Sequence, residues 1–385
     1  MSDLTEKKIE FQTVRRIDSN NASSVEQSIN EKLGSIDDIS EYVLVFDAKE
    51  LEYISSAGLR MFLSLRKKVK DLVIINTASQ VYDIFSVTGF TEVLTVKQAL
   101  RELSVEGCEK LAEGANGVVY ILDPETIIKV YKHPVMDEIL NERNLSRSAF
   151  VHGIPTAISY DIVKVGETYG TVFEFLNATS LTRLIIGNPD KLDVYVKMYV
   201  DLLKTIHGTE ISDVVIPSAK EIFNAKLLRC KSVLDEKTYL RIQSYVNSIK
   251  DERILNHGDY HTNNILIQNG EPLLIDMDTL CYGNIDFEFA NIFLAYKGFC
   301  EVKPEETETF FGFSREFASV FYDKVLKCYF CTDDVSEQSL RISLLGYIRL
   351  LIVFCGRRFL NEKDNGKRIS YIAEKIESLL TGVGF

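Results

Sequence analysis

The chain has 385 residues, 46% of them apolar, and a formal net charge of −12. Its length points to two or three domains, and its apolar content to packed cores rather than disorder. An acidic field repels phosphate backbones, so nucleic acid is excluded as an expected partner. No run of about 18 apolar residues occurs, so no membrane span is expected. The polar start, Met1 to Lys8, has no apolar stretch behind it and is not read as a secretory signal. Seven scattered cysteines fit a reducing compartment, and the expected location is cytoplasmic. Cys328 and Cys331 have the spacing of half a zinc or redox site. No second pair lies nearby and their flanks read as an amphipathic helix, so buried structural cysteines are expected there.

In chain order, Tyr42–Phe46 and Leu72–Asn76 are short apolar runs of the kind found in helix-covered sheets. Ala22–Leu33 reads as an amphipathic helix. Leu59, Phe62 and Leu63 recur at helical spacing in a second helix reaching about Lys70, and Tyr82–Phe85 belong to a third. This alternation predicts a small α/β domain. Ser55 and Ser56 stand just before the central helix. Two roles are open for them, capping the unpaired N–H groups of the first turn or accepting a phosphate that the positive helix end would tolerate, and physical chemistry alone favours capping.

Val45-Phe-Asp47, Leu51–Arg60 and Val87–Phe90 resemble a STAS domain, the fold of bacterial anti-sigma-factor antagonists, over roughly residues 8–103. The resemblance implies that Ser56 is a regulatory phosphosite and that an anti-sigma-like or other STAS-binding protein is a partner. Antagonists often carry Asp before that serine, where this chain has Ser55.

Lys97–Leu103 reads as a closing polar helix. No long Pro/Gly/Ser linker follows, so the two domains are expected to lie close, and phosphate at Ser56 to alter the second one. The proposed division is 1–104, then 108–176 and 177–385.

Leu111–Leu122 reads as strand, glycine turn and strand. Gly114 and Gly117 let backbone N–H groups approach a phosphate, although taken alone the pattern is better read as an ordinary hairpin with Asn-Gly at its tip. Thr126–Tyr131 is a strand with one lysine, Lys129, among apolar residues, and such a lysine needs a partner. The helix from Met136 to Phe150 offers Glu138 and Glu142, and Lys129–Glu142 would hold an ammonium over the α- and β-phosphates. Tyr169–Leu176 is then a strand leading to a hinge, where backbone groups around Glu174, Phe175 and Leu176 would meet adenine. Val194–His207 is helical, with His207 a structural C-terminal residue.

His257-Gly-Asp-Tyr-His-Thr-Asn-Asn264 and Leu273-Leu-Ile-Asp276 carry the chemistry. In-line phosphoryl transfer needs a carboxylate to orient and deprotonate the attacking hydroxyl, and oxygen ligands for Mg²⁺ on the phosphates of ATP. Asp259 suits the first task; Asn264 and Asp276 suit the second. His257 and His261 are read as organisers of the loop, since imidazole suits Mg²⁺ poorly. Asp278 either helps with metal or water or caps a turn.

This stretch is similar to the aminoglycoside phosphotransferase and choline kinase-like family, with Glu288 where Asp is usual. The overall expectation is an α/β STAS domain followed by a two-lobed α+β protein kinase-like domain of the aminoglycoside phosphotransferase type. The resemblance implies an ATP- and Mg²⁺-dependent phosphotransferase acting on a hydroxyl of a small molecule. A protein serine kinase acting on Ser56, in cis or in trans, is the alternative. A non-catalytic scaffold is disfavoured by the joint presence of Gly114, Gly117, Lys129, Glu142, Asp259, Asn264 and Asp276.

Overall fold

The structure, a computed structural model, describes residues 7–114, 116–356 and 358–385. The first six residues, part of the polar N-terminus discussed above, and Ala115 in the glycine turn lie outside the described residues. The chain divides into two compact units, the first ending at Leu103 and the second running Ser104–Phe385.

The first unit is built on four parallel strands in sequence order: Lys8–Gln12, Val43–Asp47, Asp71–Thr77 and Thr95–Gln98. Helices Ala22–Leu33, Ser56–Arg66 and Ser79–Val87 alternate with them. Burial follows the apolar periodicity: Leu44, Phe46, Leu72 and Ile74 from the strands meet Leu59, Phe62 and Leu65 from the central helix. Phe11 stacks on Phe46 at 5.2 Å between centroids, and Phe62 meets Phe46 edge-on at 5.1 Å. The central helix stops at Arg66 rather than near Lys70, because the Lys70 N–H turns to the carbonyl of Tyr42 (3.0 Å) and leads the chain into the next strand.

The polar helix expected over Lys97–Leu103 does not form. Thr95–Gln98 and Arg101–Glu102 are strands. Thr95 and Val96 pair in parallel with Val73 and Ile74, so the sheet ladder overrides the modest helix propensity of Gln98 to Leu100.

In the second unit, antiparallel strands lie side by side in the order Ser159–Val165, Thr168–Glu174, Thr126–Tyr131, Gly117–Ile121 and Lys110–Glu113. Helix Met136–Val151 packs on the first of them and on the turn Met277–Thr279. The remainder is mostly helical: Leu192–His207, Ala219–Leu227, Glu236–Ser248, Ile285–Phe293, Arg315–Phe330, Ser336–Phe354 and Asn365–Gly382 enclose one apolar core. Two small strand pairs cross this core, Ile265–Gln268 with Glu271–Leu274 and Ile254–Asn256 with Cys281–Gly283. They hold the polar loop 257–264 between them. Among the described residues, no helix is long and apolar enough to cross a membrane.

Cys328 is only half-buried and Cys331 is exposed, against the expectation that both are buried. Cys331 takes a left-handed φ of +54° where helix Arg315–Phe330 ends at the surface. His207 ends its helix half-buried and neutral. Burial pushes its pKa down to about 4, and its Nδ1 lies 2.6 Å from the Tyr329 hydroxyl, so it bonds a side chain rather than the helix dipole.

Candidate active site

The glycine hairpin closes with Gly114 N–H donating to the Gly117 carbonyl at 2.9 Å. A Cβ on Gly117 would come within 2.6 Å of the Val130 carbonyl, so the residue is demanded by the approach of the lysine strand. At Gly114 a Cβ would meet nothing within 4 Å, which leaves that backbone open to a ligand. Lys132 secures the hairpin's base through Glu113 (2.7 Å) and the Gly114 carbonyl (3.0 Å).

Lys129 stands in mid-strand, opposite Val119 on one side and Thr171 on the other. Its Nζ lies 2.7 Å from Glu142 Oε1 and 3.1 Å from Asp276 Oδ1. Burial works against its charge, but Asp276 and Glu142 outweigh it and hold its pKa above the ordinary lysine range. Glu142 is buried at 6% exposure, and its second oxygen accepts from the Tyr131 hydroxyl at 2.9 Å, with Thr171 Oγ1 2.9 Å further on. The lysine is thus fixed at the junction of sheet, helix and loop. Glu138 is not part of this arrangement.

At the end of the strand Thr168–Glu174, the amide of Glu174 donates to Ile158 (2.9 Å) and that of Phe175 to Glu125 (2.7 Å). Of the three hinge residues, Leu176 is the one whose amide makes no hydrogen bond within the chain, among the described residues.

The loop after strand Ile254–Asn256 turns at Gly258, whose φ is +83° and whose Cβ would fall 2.3 Å from the Thr279 carbonyl. No other residue fits without backbone movement. His257 is fully buried and neutral. Burial takes its pKa to about 4; Nε2 faces the Ile275 carbonyl at 3.3 Å and Nδ1 accepts from the Asp259 amide at 3.3 Å. Behind the loop, Tyr199 and Tyr260 exchange hydroxyl-to-carbonyl bonds of 3.0 and 2.7 Å, and the Thr262 amide donates to the Tyr296 hydroxyl at 2.9 Å. This network leaves the Asp259 carboxylate projecting and about half-exposed. Its pKa is pushed up by burial but pulled further down by His261, 3.5 Å away, and by His257 and Arg349, so it is ionised.

Asn264 spends its amide nitrogen on the Asp259 carbonyl (3.0 Å) and keeps its side-chain oxygen. Its main-chain carbonyl accepts from Ile275, which holds Asp276 beside it. Asp276 has a left-handed φ of +56° and ψ of +67°, a strained geometry for a non-glycine residue, as found where a side chain must be aimed. The strand ends before it, and Asp278 follows in a short helical turn rather than on an extended strand. Asp278 is exposed, yet loss of surrounding water, then the charge of Glu142, Asp276 and Asp259, raises its carboxyl to about 6 against the pull of Lys129. Among the described residues, no three His, Cys, Asp or Glu side chains form a self-contained metal cage. The oxygen donors of Asn264 and Asp276 fit a hard divalent cation, which needs only one or two protein oxygens when phosphates and water complete its shell.

Several supporting residues escape sequence reasoning. Tyr131 and Thr171 orient Glu142, and nothing in a strand pattern marks them out. Glu288, fully buried, accepts the amides of His257 and Gly258, the latter at 3.2 Å to each oxygen. Its burial lifts its carboxyl to about 7 in spite of those bonds. The departure from the usual Asp at this position was the available signal. In the first unit, Ser55 is the cap, accepting from the Ala57 amide at 3.2 Å. Ser56 is exposed at the first helical position and makes no side-chain hydrogen bond among the described residues.

The phosphotransferase enzyme family model matches residues 107–311, and the STAS domain model residues 7–103. Since the first match spans more than half of the 385 residues, the chain belongs to the phosphotransferase enzyme family, as an ATP-dependent phosphotransferase preceded by a STAS domain. Comparison with curated proteins gives no match. Among solved structures, the aminoglycoside phosphotransferase APH(2'')-Ib with bound ADP is 18% identical, with 71% of this chain and 93% of that one covered and a TM-score of 0.49. A choline/ethanolamine kinase family protein from Mesorhizobium loti is 11% identical, covering 71% and 87%, at 0.48. The amicoumacin kinase hAmiN, in complex with AMP-PNP and Ca²⁺, is 17% identical, covering 76% and 93%, at 0.45.

Proposed function

We propose that residues 108–176 and 177–385 are the two lobes of a kinase that moves the γ-phosphoryl group of ATP to a hydroxyl of a small molecule. The observation that carries this reading is the meeting of Lys129, Glu142 and Asp276 from strand, helix and loop at 2.7 and 3.1 Å, beside an ionised Asp259. In it, the Gly114–Gly117 hairpin covers the phosphates, Lys129 neutralises them and is held by Glu142, and the adenine edge meets the backbone of Glu174 and the free amide of Leu176. Asn264 and Asp276 would hold Mg²⁺, which supplies charge neutralisation at the β- and γ-phosphates. Asp259 accepts the acceptor's hydroxyl proton. The acceptor oxygen bonds to the γ-phosphorus, and the bond from that phosphorus to the β–γ bridging oxygen breaks, its electron pair leaving with ADP.

A second reading is favoured by Ser56. Exposed and free of capping duty, it suits phosphorylation in a way the engaged Ser55 does not. In this reading the acceptor is that serine, and the STAS domain serves as substrate or as docking site for an anti-sigma-like partner. Incubation with γ-labelled ATP and Mg²⁺, with and without small hydroxyl compounds, separates the two. Label recovered in a small molecule supports the first. Label on the protein that disappears in Ser56→Ala supports the second. Absence of ADP formation under every condition would contradict both.

A further inference from the structure

An apolar surface meets the loop that carries Asp259. His261 is buried and sets its Nε2 3.5 Å from the Asp259 carboxylate. Phe310 and Phe311 clamp its ring edge-on, at 5.1 and 5.8 Å between centroids, and its Nδ1 makes no hydrogen bond among the described residues. Packing against these two rings, rather than a second bond, therefore sets the position of the imidazole beside Asp259. Both rings stand at the end of helix Pro304–Phe311, and the loop holds that end. Asn263 Nδ2 donates to the Phe310 carbonyl at 2.8 Å, and Phe311 stacks at 4.8 Å on Tyr296, whose hydroxyl takes the Thr262 amide.

Phe311 is buried, but Phe310 leaves 53% of its surface exposed. The helix stops at Gly312, whose φ is +71°, and Ile186 Cδ1 lies 3.1 Å from where a Cβ at that glycine would fall. Ile186 is 51% exposed and stands on helix Leu181–Gly187. The loop holds this helix too, since Thr182 Oγ1 donates to Thr262 Oγ1 at 2.7 Å. Two half-exposed apolar side chains from separate elements are thus gathered at the end of one helix, against the loop of Asp259. Apolar residues scattered singly over a surface are ordinary, whereas a pair held beside a reactive carboxylate has the character of a ligand-site lining. Lys129, Glu142 and Asp276 meet one another, and none of them bonds to His261, Asn263 or Phe310 among the described residues, so this wall serves the acceptor rather than the phosphates. Phe310 and Ile186 carry no charge, and the carboxylate they approach through His261 is taken up with the hydroxyl proton.

We propose that Phe310 and Ile186 form the acceptor wall beside Asp259, and that the acceptor is a hydroxyl compound with an apolar, ring-bearing body rather than a polyol or a polycation. The inference rests on the small-molecule phosphotransfer reading and narrows its substrate class. The ring lies on Phe310 and Ile186 and leaves the hydroxyl at Asp259. The hydroxyl oxygen takes the γ-phosphoryl group, its proton passes to Asp259, and ADP leaves.

The test follows ATP turnover by the full chain while three kinds of probe are added: 2-phenylethanol, 3-phenylpropan-1-ol and cyclohexylmethanol; glycerol and xylitol; kanamycin. At least one ring alcohol should alter turnover, as acceptor or as competitor of water, with the polyols and kanamycin inert at the same concentration. In Phe310→Ala the concentration needed for half the effect should rise roughly ten-fold, as lost burial against one aromatic face implies, with the KM for ATP shifted less than about two-fold. Phe310→Leu, which keeps an apolar side chain, should recover most of that loss. Ile186→Ser, at an exposed position that does not touch His261, should show the same split at about three-fold. Response to polyols or kanamycin alone, response to no ring alcohol, or an unchanged midpoint in Phe310→Ala would overturn the inference with phosphotransfer still standing. So would an equal rise in the KM for ATP, which would put the ring on the nucleotide side. No ATP turnover by the wild type under any condition would instead remove the reading beneath it.

Discussion

The two units bury different things. Among the described residues of the first, the buried polar side chains are Thr13 and Thr77, and aromatic and aliphatic contacts do the rest. The second encloses Glu142, Asn256, His257, His261, Thr262, Asn264, Asp286 and Glu288. Burying such groups costs stability unless every one is satisfied, and most lie on or beneath a single loop. The cost is incurred where geometry must be held. In the first unit Ser56, the phosphosite of the second reading proposed above, lies exposed and makes no side-chain hydrogen bond among the described residues.

The sharpest way to break this contrast is at Lys129. Lys129→Ala leaves the buried Glu142 without its cation, and should cost about 3 kcal/mol in urea unfolding of the second unit and at least about a hundred-fold in kcat/KM for ATP. Unchanged ATP kinetics would mean that the strand lysine plays no part in phosphate binding. Next is Gly258→Ala, which must move the Thr279 carbonyl or abandon a φ of +83°. The expected loss is about 2 kcal/mol, with kcat reduced more than the KM for ATP, because the distortion falls on the loop of Asp259.

Glu288→Gln sharpens the comparison through pH. The Glu288 carboxyl is raised to about 7 in the fold, against an ordinary value of 4.5. Between those values the folded chain holds a proton that the unfolded chain releases, so this residue's contribution to stability falls as pH rises from about 4.5 to about 7. Wild type minus Glu288→Gln, measured by denaturant unfolding, should show that slope, and a flat difference would place the carboxyl's titration elsewhere. The smallest effect is in the first unit. Ser55→Ala should cost about 1 kcal/mol through loss of the cap, and Ser56→Ala less than about 0.5 kcal/mol. Equal costs would mean that the capping role is shared.

How much of this was legible depends on what a residue's neighbours had to be. Lys129 stood out because one lysine in an apolar strand requires a carboxylate, and Glu142 on the next helix was within reach. The loop from His257 to Asn264 stood out by composition. The closing strand Arg101–Glu102 was illegible, since its short polar sequence has no period of its own. Capping chemistry alone could not tell Ser55 from Ser56, because cap and first helical position differ by one residue and only the backbone decides; it was the STAS resemblance that singled out Ser56.

The central claim is that Asp259 performs the proton step of a site that binds ATP independently of it. Single-turnover transfer from γ-labelled ATP, measured alongside nucleotide affinity in wild type and Asp259→Asn, tests this most directly. The account predicts that transfer falls by about a thousand-fold with the affinity for ATP changed by less than about three-fold. Transfer by Asp259→Asn at the wild-type rate would contradict it.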